Sequence, residues 1–225
     1  MRKKLYGIAA LLSIFCIAIL FFAILSVGRR QAAPSYEGEW LTAEGNYTYP
    51  MTPYKEEWAQ LDILERRESC NMPQELVDML TTEELVNAAL DYPLKMDYIG
   101  FSSPEKGLEH LKGSSNVYRE LFKREDIIEN LLKAYRDLQV DYDLLVSETV
   151  SNPWEKSGYA KELILQLLIG CDEIFDQLTE AQMEELLTVV DERYAAKQGT
   201  GDDFTMAWSR NNPFLLGREG ILDLE

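Results

Sequence analysis

The chain reads as an all-α protein, a helical bundle or short helical array behind an N-terminal transmembrane helix. Three observations lead there. The stretch from Leu5 to Val27 contains no charged residue. From residue 55 onward, apolar residues recur at helical spacing behind capping sequences. No comparable stretch alternates apolar and polar residues with period two, as a half-buried strand would, so helices must pack on helices.

As a helix, Leu5 to Val27 would span about 35 Å, enough to cross a hydrocarbon core of about 30 Å. A cleaved signal peptide has a shorter apolar region, about 7 to 15 residues, and small residues before the cut. Only Ser26-Val27-Gly28 fits that rule, and Arg29 follows it directly. Residues 1–30 are therefore expected to be a retained membrane anchor, with a cleaved signal peptide and a secreted protein as the alternative. Cys16, preceded by Phe15 in mid-span, reads as a packed thiol rather than a lipid attachment site. Arg2, Lys3 and Lys4 with the amino terminus outweigh Arg29 and Arg30, which puts the N-terminus in the cytoplasm and the rest outside.

Residues 31–54 carry Gly, Pro and Thr without a helical period and read as an extended tether. Tyr36, Trp40, Tyr47, Tyr49 and Tyr54 make it rich in aromatics, which suits either a segment sealing against the helical body or a surface for a partner. Asn46-Tyr47-Thr48 is a glycosylation sequon, meaningful only where that machinery exists.

Residues 55–198 form the expected helical domain. Thr81 and Glu84 have capping-box spacing, and Pro93 stops that helix. Ser102 and Glu105 are spaced as a second box, with Pro104 in the first turn. Asp126 precedes a stripe of Ile127, Ile128, Leu131, Leu132 and Tyr135. In YAKELILQLLIGCDEIFDQL the stripe Ala160, Ile164, Leu167, Leu168, Cys171, Ile174, Phe175 and Leu178 is joined by Leu163, Leu165 and Ile169, so its first half is apolar almost all round. That predicts one long, central helix. Thr179 and Gln182 cap a last helix through Met183, Leu186, Leu187, Val190 and Tyr194, ending near Gly199. Residues 199–225 read as an irregular tail packing on the domain, with Phe204, Trp208 and Phe214 as its large rings.

Residues 1–30 hold five of the 22 basic residues and no acidic ones, which leaves 17 against 39 and a net charge of −22 on the remainder. Such a surface repels nucleic acid and anionic lipid, so nucleic-acid functions are discarded. Only Cys70 and Cys171 lie outside the membrane run. A bridge between them would close a loop of about 100 residues, worth about 4 to 5 kcal/mol. The alternative is that Cys171, on an apolar stripe, is a small buried side chain.

The series CNMPQELVDMLTTEELVNAALDYPL, Cys70 to Leu94, followed by YRELFKRED and preceded by YPMTPYKEEW, resembles an uncharacterised family of exported helical proteins from Gram-positive, largely gut-dwelling bacteria. The likeness covers residues 47–138. It implies a bacterial, extracytoplasmic helical protein and transfers no functional residues.

Chemistry-bearing motifs are sparse. His110 is the one histidine, and with two further cysteines it assembles no zinc site. Ser103-Pro104-Glu105-Lys106 matches Ser-x-x-Lys but lacks a Lys-Thr-Gly partner. Asp141-Tyr142-Asp143 opens like a calcium loop without its glycine or final glutamate. Gly199-Thr200-Gly201 follows a helix instead of preceding one, so it is a stop and not a phosphate cradle. The expectation is thus no catalytic, cofactor-binding or metal residues. The reading is a non-catalytic, membrane-anchored extracytoplasmic domain that binds an envelope protein or surface polymer, with Trp40, Tyr47, Tyr49 and Trp208 as candidate binding aromatics. A cell-envelope hydrolase with paired carboxylates is one alternative. A cytoplasmic regulatory domain on an inverted anchor is another.

Overall fold

A computed structural model describes residues 40–41, 47–145, 147 and 149–198. The anchor expected over residues 1–30, the tail over 199–225 and Trp208 lie outside the described residues. Among the described residues no helix is long and apolar enough to cross a membrane. The chain divides into two units, Met1–Thr48 and Tyr49–Glu225. In the first, Leu41 and Tyr47 form an antiparallel bridge and the Thr48 amide donates to the Trp40 carbonyl at 2.7 Å.

The second unit is helical, as the sequence predicts. Its α-helices are α1 (Ile63–Ser69), α2 (Gln74–Met79), α3 (Thr82–Asp91), α4 (Pro104–Ser114), α5 (Asn116–Leu121), α6 (Ile127–Asp137), α7 (Tyr142–Leu145), α8 (Pro153–Lys156), α9 (Tyr159–Ile169), α10 (Asp172–Phe175) and α11 (Glu180–Gln198). Short 3-10 helices occupy Glu56–Gln60 and Lys95–Gly100. The unit begins earlier than residue 55: the Tyr49 hydroxyl donates to the Ala88 carbonyl at 2.9 Å. Its ring meets Tyr92 edge-on at 6.0 Å, and Tyr92 meets Tyr118 in the same way at 5.8 Å.

The caps explain where the helices begin. The Thr81 hydroxyl accepts from the Glu84 amide at 3.2 Å, and Glu84 accepts from the Thr81 amide at 2.8 Å, the reciprocal box the spacing predicts. Thr179 and Gln182 repeat it at the start of α11. The Ser102–Glu105 box does not form. Pro104, which has no amide hydrogen, takes the first helical position, so the residue before it is the cap, and Ser103 accepts from Lys106. Replacing Thr81 with Ala should cost about 1 kcal/mol of stability in urea unfolding, because the Glu84 amide loses its acceptor.

Helix α9 is central. Every one of its residues except Lys161 is buried, and it touches α3, α4, α6, α8 and α10. The stripe predicted to run on through Cys171 does so, but not as one helix. Gly170 ends α9 and Cys171 is extended (φ −73°, ψ 150°) before α10 starts, since glycine is the weakest non-proline helix residue. Two close approaches fix the packing around it. A Cβ on Gly107 would lie 2.7 Å from Tyr98, where α4 rests on the second 3-10 helix. Gly158 opens α9 at φ +82°, with the Gln139 carbonyl 2.7 Å from where a Cβ would sit.

Candidate functional site

Of the candidate binding aromatics, which the sequence equally allows as seals on the helical body, Trp40 and Tyr49 are each only 6% exposed and Tyr47 is half-buried. Tyr49 is a core residue of the helical unit, its hydroxyl spent on Ala88. The exposed rings are Tyr54 and Phe101 instead.

Cys70 and Cys171 are both buried free thiols, so the bridge the sequence allows is not formed in this structure. Their surroundings differ. Cys70 neighbours Ser69 and Asp97, whereas the Cys171 thiol donates to the Leu168 carbonyl at 3.1 Å and lies near Glu173 and Lys112. Burial pushes both thiols up to about 11, which suppresses the reactive thiolate. Iodoacetamide at about pH 8 should leave both unlabelled in the native protein and label both after denaturation, read by peptide mass spectrometry. Labelling of the native protein, or none after denaturation without reductant, would contradict this.

Exposed apolar side chains gather around α1. Helix α1 buries none of its residues. A seven-residue helix without packing is marginal, and this one is held by its caps. The Asp62 carboxylate accepts from the Leu64 and Glu65 amides at 2.8 and 2.9 Å, and Glu65 accepts from the Asp62 amide at 2.8 Å. Ile63 and Leu64 are 49% and 62% exposed. Arg67, one turn further on, reaches His110, its guanidinium nitrogen 3.3 Å from Nε2. The His110 ring packs on Phe101 with centroids 4.6 Å apart, and Phe101 and Ile99 are 39% and 43% exposed. The result is one strip, Ile63 and Leu64 at one end and Phe101 and Ile99 at the other, joined through Arg67 and His110. His110 is half-buried within α4. Burial, then the Arg67 charge, holds it below the usual histidine value against the pull of Asp97.

The second cluster is internal. Glu162, fully buried in α9, accepts from the Tyr142 hydroxyl at 2.9 Å, Gln166 Nε2 at 3.0 Å and Lys197 Nζ at 2.7 Å. Gln166 also reaches the Tyr135 hydroxyl at 3.2 Å. Arg193 caps the end of α6, donating to the Tyr135 and Leu138 carbonyls, and lies over the Tyr135 ring. Burial and the Glu162 charge hold the Tyr142 phenol well above its usual range. Arg193 and Lys197 of α11 are therefore turned inward beside its apolar stripe, and Tyr194 of that stripe is only half-buried.

Beside this cluster is an open depression of about 550 Å³, lined in part by Asp141, Tyr142, Asp143, Lys156 and Ser157. Asp141 and Asp143 are exposed, and Glu162 behind Tyr142 is already paired with Lys197. Asp141 and Asp143 thus differ from the partly buried carboxyls that glycoside hydrolysis uses. Among the described residues no group of three His, Cys, Asp or Glu is arranged to hold a metal ion.

No family model matches the chain, and no curated protein or solved structure is similar to it.

Proposed function

We propose that the protein is a membrane-anchored, extracytoplasmic helical domain without catalytic activity that binds a component of the cell envelope, and that the strip around α1 is its contact face. The observation that carries this is α1 itself, a capped helix with no buried residue and two large apolar side chains turned to solvent. Large apolar side chains exposed together on an acidic surface mark an interaction site. The buried thiols and the paired Glu162 are consistent with a domain built for packing and not for turnover. The resemblance to exported proteins of Gram-positive bacteria and the apolar run from Leu5 to Val27 support the compartment.

Protease shaving of intact producing cells tests the placement. The helical domain should be digested from outside while a fragment containing residues 5–27 stays in the membrane fraction. Protection until lysis would mean the inverted, cytoplasmic orientation, and recovery of a chain starting near Arg29 in the medium would mean cleavage and secretion.

A further inference from the structure

Resting on that reading, we propose that the strip's partner is a cationic amphipathic segment of another protein, apolar residues flanked by Lys or Arg. The two arginines of α1 are turned inward. The Arg66 Nε donates to the Trp58 carbonyl at 3.1 Å with its guanidinium over the indole ring, and Arg67 is occupied by His110. What α1 presents around Ile63 and Leu64 is therefore acidic: Asp62, Glu65 and Glu68 are all exposed, and Glu68 stands one turn beyond Leu64. At the other end Glu109 and Lys106 are both exposed, so the acidic rim is that of α1.

An apolar strip with an acidic rim is complementary to a segment of opposite charge around its own apolar residues, and it repels anionic lipid and acidic polymers. The net charge of −17 on the whole chain extends this field and speeds the encounter with a basic partner. It also opposes a second copy of the chain, whose strip would bring the same acids face to face.

The test uses the full chain in neutral detergent and fluorescently labelled synthetic peptides, with binding to detergent alone subtracted. One peptide has leucine and lysine in a helical period; one replaces leucine with serine, and one replaces lysine with glutamate. The leucine–lysine peptide should bind at least about tenfold more tightly than either control. Leu64→Asp and Glu68→Lys should each weaken it by about tenfold or more while leaving the circular dichroism unchanged, since α1 buries nothing. Equal binding of the serine–lysine peptide would reduce the interaction to bulk charge and overturn the proposal, as would equal binding of the leucine–glutamate peptide or insensitivity to both variants. Sedimentation of the chain as a dimer that Leu64→Asp disperses would assign the strip to a second copy. Cross-links in cells from position 64 to a partner without a basic segment would overturn this inference and leave the binding function standing.

Discussion

Replacing Glu162 with Ala should cost about 3 to 5 kcal/mol of folding stability, read as a lowered midpoint in urea unfolding. Glu162 is fully buried, and its removal takes a shared acceptor from Lys197, the Tyr142 hydroxyl and Gln166 at once. An unpaired polar group inside a protein forfeits its desolvation energy with nothing to offset it. Lys197→Ala should cost at least as much, because it leaves the fully buried Glu162 carboxylate without a countercharge, whereas the lysine left by Glu162→Ala is 18% exposed and can reach water. The double variant Glu162→Leu, Lys197→Met should recover part of the loss, since apolar groups of similar volume often replace a buried pair without penalty. If the double variant were as unstable as the sum of the single ones, the pair would not be interacting as described.

Leu168→Ala should cost about 2 to 5 kcal/mol, the range for a large side chain removed from a packed core. Leu168 is fully buried on α9, between Leu167 and Ile169, which are buried as well. Helices α3, α4, α6, α8 and α10 all rest on α9, so few neighbours can move into the space without breaking another contact, which places the cost in the upper half of that range. A loss below about 1 kcal/mol would mean that α9 is not the centre of the unit.

The position of α9 could be read from the chain because the helix is apolar almost all round, and only a surrounded helix tolerates that. The helix starts were legible for the same kind of reason: Thr81 with Glu84, and Thr179 with Gln182, carry their own hydrogen-bonding logic. The buried face of α11 was legible only in part. Its inward side includes Leu186, Val190, Arg193 and Lys197, and a search for apolar period passes over two basic residues. The signal that could have found them lies on α9, where Glu162 and Gln166, four apart, interrupt an otherwise apolar surface and so require polar partners from elsewhere in the fold.

The strip around α1 was also missed, for a different reason. ILERRES is too short for its apolar period to say which side chains turn inward. In the structure the arginines are the residues that turn in, Arg66 onto Trp58 and Arg67 onto His110, because long cationic side chains can cover apolar or aromatic surface with their stems. Ile99 and Phe101 lie far along the chain and join the strip only through the contact of His110 with both Phe101 and Arg67. Aromatic content alone does not separate a sealing ring from an exposed one, and Trp40 and Tyr49 are buried.

The role of this strip is tested most directly by placing a photo-crosslinking amino acid at position 64 of the full chain in producing cells, with a second at Thr188, exposed on α11, for comparison. Irradiation should give discrete higher-mass adducts from position 64 and none of the same mass from position 188. The same ladder from both positions, or no adduct from position 64, would contradict a binding role for the strip.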